Sequence, residues 1–283
     1  MGYLLFNPLA NSGNGEKTKN EVKTFLEQQL GETLEEKSVI DLDSKKFLSS
    51  LKETDKVVLL GGDGTLMHFA NAIKGTKFKC PIYLYKAGTG NDFLNDVIME
   101  VKDNLIQINK YLENLPTVYI NDKEYLYLNG IGFGLDGTAC EIADKQRAAG
   151  KTKVNYTSIS INLLLFKFKC PSADVTVDGV TKHYKKVWLA SGMNGKYYGG
   201  GMRIAPKQDR LSDKLTSVVF HDSGRLHTLL VFPKIFTGEH VKYTKMVDIR
   251  EGKDITVEFS RPCALQIDGE TVLNVKKYRI VKK

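Results

Sequence analysis

Two glycine-rich turns in the first third of the chain, Gly61-Gly62-Asp63-Gly64-Thr65 and Gly88-Thr89-Gly90-Asn91-Asp92, carry residue types that hold phosphate with the backbone. Each follows an apolar β-type run, Lys56 to Leu60 and Pro81 to Lys86, and each precedes helical periodicity, Leu66 to Lys74 and Phe93 to Val101. A turn of this kind aims N–H groups and a helix N-terminus at an anion. Glycine serves where the chain bends at positive φ and must bring its backbone against a ligand, because a Cβ has no room there. Together the turns describe a nucleotide triphosphate site. Near the C-terminus, Asp268-Gly269-Glu270 closes an alternating strand, a pattern that a tight hairpin turn also uses.

These turns need a scaffold. Tyr3 to Phe6 reads as a strand ending in Asn7-Pro8, followed by the small polar loop Ala10 to Gly15. A helix follows, with Val22, Phe25, Leu26 and Leu30 on one face. Ser38 to Leu42 is expected as a second strand and Lys45 to Lys52 as a short helix. The alternation predicts an α/β unit with a mainly parallel sheet, whose ligands lie beyond the C-terminal strand ends. From about Val118 the pattern becomes β-rich: a hairpin from Thr117 to Asn129 turning at Asn121-Asp122-Lys123, then runs at Ala173 to Val177, Lys182 to Ala190, Leu215 to His221, Asp254 to Phe259 and Cys263 to Ile267. Thr157 to Phe168 and Ala139 to Ala149 are expected as helices. The expected domains are residues 1–116 and 117–274, with the last strand, within 275–283, open to either.

Composition narrows the class. At 283 residues, with 42% hydrophobic and 26% charged residues, the chain is a globular protein with room for two cores. No apolar run reaches the roughly 18 to 20 residues that span a bilayer, and the N-terminus lacks a signal-peptide pattern, so a cytoplasmic protein is expected. Cys80, Cys140, Cys170 and Cys263 are scattered, which argues for reduced thiols and against zinc. The net charge of +8 is spread along the chain, with no helix-turn-helix, zinc-finger or RNP signature, so nucleic acid is not an expected partner. An anionic membrane face needs only a cationic surface.

The ordered set Gly61 to Thr65, Ala87 to Phe93, Gly199-Gly200-Gly201-Met202-Arg203-Ile204-Ala205-Pro206 and Asp268-Gly269-Glu270 resembles the diacylglycerol kinase catalytic-domain family, which includes bacterial lipid kinases. The resemblance runs from Asn7-Pro8 to Glu270. It implies an α/β nucleotide-binding domain of the NAD kinase and phosphofructokinase type, a C-terminal β-sandwich domain, and a cleft between them where ATP meets a lipid alcohol. Phosphoryl transfer rests on positioning and charge neutralisation more than on covalent help. Gly61, Gly62, Gly64 and Thr65 would then cradle phosphates, and Asp63 would hold Mg²⁺ directly or through water; the alternative for Asp63 is a helix cap. Gly88, Thr89 and Asn91 would contact phosphates or sugar, and Asp92 would cap the helix starting at Phe93. Asn7, Ser12 and Gly13 match the family's early asparagine-proline loop, or an ordinary strand-to-helix turn. The resemblance makes Glu270 the general base on the acceptor hydroxyl, supported by Asp268.

The family's loop after its triple glycine often holds a second, structural Mg²⁺ through one carboxylate and neighbouring carbonyls. Here that loop reads Asp209-Arg210-Leu211-Ser212-Asp213-Lys214-Leu215, with Asp213 as the matching carboxylate and Arg210 and Leu215 as carbonyl donors. Ser212 and Lys214 replace the usual acidic residue and glycine, and a lysine ammonium beside such a site could take the metal's place. Leu66-Met67-His68-Phe69 stands where relatives carry an asparagine-glutamate pair, and Asp41 to Lys46 lacks their threonine. The function implied is an ATP- and Mg²⁺-dependent lipid kinase, peripheral at the inner membrane face, with an exposed sheet edge that would permit a homodimer. An NAD kinase, sharing G-G-D-G-T, and a catalytically silent lipid- or nucleotide-binding protein are the alternatives; the turn from Gly88 to Phe93 favours the lipid branch.

Overall fold

Val57-Val58-Leu59-Leu60 is buried on both faces, as a central parallel strand requires, and it organises the first part of the computed structural model, which describes residues 1–87, 91–151 and 154–283. Contacts divide the chain into Met1–Asn114 and Leu115–Lys283. In the first unit the strands are β1 (Gly2–Phe6), β2 (Leu34–Ser38), β3 (Lys56–Gly61), β4 (Ile82–Lys86) and β5 (Leu105–Gln107), in the spatial order β2-β1-β3-β4-β5. All neighbours are parallel except β5, which runs antiparallel to β4. The helix Gly15–Leu30 closes on Gly31 at φ 70°, a left-handed cap whose N–H reaches the Glu27 carbonyl. Its Leu26 packs with Leu4, Phe6, Leu34, Val58 and Leu60.

The second strand lies earlier than the sequence suggests. Ser38 to Leu42 looked apolar enough, but Ile40 is half exposed and β2 is Leu34–Ser38. Leu34 is its buried anchor, while Glu35 and Glu36 put charge on a sheet edge. The helix expected from Phe93 to Val101 is two short pieces, Asp92–Asp96 and a 3₁₀ turn at Ile98–Glu100.

The second unit contains β6 (Thr117–Ile120), β7 (Lys123–Leu126), β8 (Gly130–Gly134), β9 (Ala173–Val177), β10 (Val180–Tyr184), β11 (Leu189–Met193), β12 (Leu215–Phe220), β13 (Val247–Gly252), β14 (Asp254–Ile267) and β15 (Glu270–Val281). The main path runs β13-β12-β11-β8-β14-β15-β6-β7, and β9 joins β14 to β10. β14 changes partners along its length: residues 255–259 pair with β9 and 265–267 with β8, with a register shift between Glu258 and Cys263. That irregularity folds one ladder into a sandwich around a common core, in which Phe133 of β8 stacks on Phe259 at 3.9 Å. The expected runs Asp254 to Phe259 and Cys263 to Ile267 are thus one bent strand, whereas Lys182 to Ala190 is two, broken where Lys186 adopts φ 46°. The C-terminal strand, open to either unit in the sequence, pairs with β14 and β6.

Helices cover the other face of β11 and β12. Leu189, Met193, Val218 and Phe220 pack there against Leu135, Ala139 and Ala143 of the helix Leu135–Ala148. The helix expected over Thr157 to Phe168 is Tyr156–Asn162 followed by a π-helical turn, Leu163–Lys167. β8 escapes a pattern reading because its Gly-Ile-Gly-Phe-Gly sequence resembles a turn. A Cβ at Gly132 would sit 1.5 Å from Asp136 Oδ2, so neighbouring side chains occupy the space that a larger residue would need.

Candidate active site

Strand register brings the early motifs to one edge of the first sheet. Phe6 lies beside Leu60 and Gly61 beside Lys86, so Asn7, Gly62 and Ala87 leave the C-terminal ends of three adjacent parallel strands. This is the edge at which α/β sheets bind ligands. Asn7 Oδ1 accepts from Leu9 N at 2.9 Å, forming a side-chain turn that starts the next helical segment. Of Ser12 only the backbone is described; Gly13 adopts φ 84°.

Gly62 is the N-cap of the helix Asp63–Ala72, in extended backbone and with no side-chain cap bond. The first-turn N–H groups of that helix therefore suit an anion. A Cβ on Gly61 would lie 2.4 Å from Thr65 Cβ, whereas one on Gly64 would meet open space. Gly61 is required by the fold; Gly64 instead leaves the backbone approachable. His68 is exposed on the helix surface.

Asp63 links the two turns. Its Oδ2 accepts from Asp92 N at 2.7 Å and its Oδ1 from Phe93 N at 3.2 Å. It therefore caps the helix Asp92–Asp96 from outside, the duty expected of Asp92. That helix begins at Asp92, one residue past the cap position, which Asn91 occupies without a side-chain cap bond. Gly88 and Thr89, with Gly90, lie outside the described residues.

In the second unit, Asp268 (φ 47°) and Gly269 (φ 94°) form the two-residue turn between β14 and β15, and Glu270 is the exposed first residue of β15. The Asp268 carboxylate accepts from Leu128 N at 2.5 Å, Asn129 N at 2.8 Å and Gly130 N at 3.0 Å. Burial nevertheless raises its pKa above the ordinary aspartate value, against the pull of these three donors. Gln266 Oε1 accepts from Gly269 N at 2.8 Å, and Thr271 Oγ1 donates to Asp144 at 2.7 Å. The turn that presents Glu270 is thus fixed from both sides, and Asp268 fixes backbone.

Asp136 is the residue that sequence reasoning missed. Its Oδ2 accepts from the Tyr198 hydroxyl at 2.9 Å, and burial pushes its carboxyl up to about 6. It lies against the Cα of Gly132 together with the Gln266 amide, one hydrogen bond from Gly269. The available signal was an aspartate two residues after a strand of alternating glycines.

The three donors expected for a structural Mg²⁺ do not fit one. The Asp213 carboxylate pairs with Lys253 Nζ at 2.5 Å, which holds its pKa below the ordinary value. The Arg210 carbonyl accepts from Lys282 Nζ at 2.6 Å, and Leu215 is the fully buried first residue of β12. Among the described residues no group of three or more His, Cys, Asp and Glu side chains is arranged to hold a metal ion. All four cysteines are free, and burial drives the thiols of Cys140 and Cys170 up to about 12 and about 11.

With an anion-ready helix terminus in one unit and a braced carboxylate turn in the other, comparison with known proteins defines the class. Residues 2–117 match the diacylglycerol kinase catalytic domain, and residues 129–279 match the YegS C-terminal NAD kinase beta sandwich-like domain. The chain belongs to the diacylglycerol kinase catalytic-domain family of lipid kinases. It is 25% identical over 263 residues to a diacylglycerol kinase of Mycobacterium tuberculosis, covering 90% of this chain and 84% of the relative. A crystal structure of a diacylglycerol kinase from Bacillus anthracis has the same fold, with a TM-score of 0.62 at 16% identity over 99% of this chain and 93% of that one. A yeast NADH kinase complexed with NADH matches at TM-score 0.50 and 12% identity over 100% of this chain and 80% of its own, a likeness of fold alone.

Proposed function

We propose that this protein is an ATP- and Mg²⁺-dependent lipid kinase that transfers the γ-phosphoryl group to a hydroxyl of diacylglycerol or a closely related lipid. The observation that carries the reading is the first turn, where a helix without a side-chain cap and an open Gly64 stand beside Asp63, the carboxylate that braces the second turn. Backbone N–H groups of Gly64 and Thr65 would bind phosphate oxygens, and Asp63 would hold Mg²⁺ through water, since both its oxygens already accept amides. Mg²⁺, when bound, neutralises the negative charge on the phosphates. Glu270, exposed on a fixed turn, would accept the proton of the lipid hydroxyl, and Asp268 acts by holding that turn.

Two features of the second unit support a lipid as acceptor. A depression of about 660 Å³ is lined by Leu163, Phe168, Pro262 and Leu273 together with Glu141, Lys167, Lys169 and Arg261, a volume suited to part of a lipid. Beside it, Phe166, Leu226 and Leu230 are 72%, 74% and 72% exposed. Arg225 joins the segments that carry them by donating to the Leu164 and Phe168 carbonyls, each at 2.8 Å. Residues 154–172 contain Lys167 and Lys169 and no acidic residue, so this surface suits peripheral contact with an anionic bilayer at the cytoplasmic face. Among the described residues no helix is long and apolar enough to cross a membrane.

The test is transfer of labelled phosphate from ATP to a total lipid extract, with NAD as a parallel acceptor. A labelled lipid that disappears in Glu270→Ala, with ATP binding retained, is the expected result. Labelled NADP would reassign the acceptor, and no transfer to either would make the protein a binding member of the family.

A further inference from the structure

The loop from Pro206 to Leu215 turns several carbonyls inward, and each has a donor from the protein itself. Gln208 Nε2 donates to the carbonyls of Asp209 at 3.0 Å and Lys214 at 2.9 Å, and Ser212 Oγ donates to the same two at 2.8 and 3.1 Å. Thr216 Oγ1 holds Gln208 in place through its Oε1 at 2.5 Å. The carbonyl of Arg210 is served by Lys282, which lies just after β15. The Lys282 ammonium is 2.6 Å from that carbonyl and 2.7 Å from Asn194 Oδ1, and the residue is only 1% exposed. Its own backbone N–H is fixed on the Lys253 carbonyl at 2.9 Å.

A buried ammonium is retained where its donors are matched to acceptors and removing it would strand them. Here one of the two acceptors, the Arg210 carbonyl, belongs to the loop that the family resemblance associates with a divalent cation. The connections extend further. Arg210, itself buried, donates from Nη2 to Asn129 Oδ1 at 3.0 Å, and Asn194 Nδ2 donates to the Leu128 carbonyl at 2.9 Å. Leu128 and Asn129 are two of the residues whose amides bind Asp268. The ammonium therefore stands at one end of a continuous polar chain whose other end holds the turn of Glu270.

We infer that the Lys282 ammonium performs the structural task of the metal, acting as the fixed positive centre that folds the 206–215 loop and making that loop independent of divalent cations. A divalent ion bound to the Arg210 carbonyl would lie against this ammonium, and like charges at that separation in a buried site exclude one another. Of the loop's two carboxylates, Asp209 accepts from Leu211 N at 2.9 Å, and Asp213 pairs at the surface with Lys253, which adds little.

Thermal unfolding of the full chain without nucleotide or lipid tests this, so its outcome is separate from that of the phosphoryl-transfer proposal. The melting temperature is expected to be the same in excess EDTA and in millimolar Mg²⁺, and calorimetric titration with Mg²⁺ alone is expected to register no stoichiometric binding. Lys282→Met should lower the melting temperature by about 5 °C or more, because two buried acceptors lose their donor; Lys282→Arg should recover part of the loss, and Asp213→Asn should shift it by less than about 2 °C. A fall in EDTA reversed by Mg²⁺, stoichiometric Mg²⁺ binding abolished by Asp213→Asn, or a Lys282→Met protein as stable as the parent would each overturn the inference. If Lys282→Met does not fold, the chelator and titration arms on the parent chain decide.

Discussion

Asp63 and Asp268 sit in similar company, each beside glycine in a turn expected to do chemistry, and in both places the aspartate accepts backbone N–H groups from elsewhere in the chain. The difference is reach. Asp63 takes two amides 29 and 30 residues away within one α/β unit, whereas Asp268 takes three amides 138 to 140 residues away across the sandwich. The first brace joins two consecutive strand-turn-helix units that already lie on neighbouring strands. The second defines where a distant segment ends, and nothing local replaces it. In both turns the carboxylate is engaged with backbone N–H groups, so an aspartate in such a motif can be essential to the turn's shape.

The largest separation of roles should come from Glu270→Gln. Loss of the base should lower kcat by about 10²- to 10⁴-fold, while the melting temperature stays within about 1 °C, because the side chain is exposed. Full turnover by this variant would remove Glu270 from the chemistry. Asp268→Ala should have the opposite profile, costing about 3–5 kcal/mol in denaturant unfolding as three buried amides lose a charged acceptor. A loss below about 1 kcal/mol would mean that water substitutes for the carboxylate and that the long-range brace is dispensable.

Asp63→Asn keeps one acceptor oxygen and should cost about 1–2 kcal/mol of stability, together with weaker nucleotide binding that added Mg²⁺ does not restore. If stability falls as far as in Asp268→Ala, the contrast in reach has no energetic meaning. The smallest effect concerns pH. The Asp136 carboxyl is raised by burial to about 6 from an ordinary 3.8, so the native state binds its proton more tightly than the unfolded chain. The stability contributed by this group is present below about pH 4 and is lost as pH rises through about 6. Asp136→Asn should flatten that slope in unfolding free energies measured across the interval; an unchanged slope would place the titration elsewhere.

Much of the first unit was legible because its signals are local. The buried run of β3, the amphipathic helix before Gly31 and the glycine turn at Gly61 each fit within one element and its neighbour. The second unit was harder, since its strands owe their faces to partners far along the chain. Gly130, Gly132 and Gly134 look like a turn until Met193 and Asp136 fill the space beside them. Ser38 to Leu42 looked like a strand because Ile40 is apolar, yet the edge of a sheet is satisfied by backbone pairing and one buried leucine. The cap on the helix at Asp92 comes from Asp63 and not from the nearest aspartate, because proximity along the chain says little about where a carboxylate points.

The sequence alone determined which turns are rich in glycine, where helices alternate with parallel strands, and which family the ordered motifs resemble, since all of these are properties of short stretches and their order. Tertiary structure decided that Asp63 and Asp268 are braces, that Asp136 is a partly buried acid bonded to Tyr198, and that the Lys282 ammonium is buried on the Arg210 carbonyl. Those outcomes depend on which donors and acceptors are forced together out of water, and burial of that kind is set by segments distant along the chain, most of all for Asp268 and its amides at separations of 138 to 140.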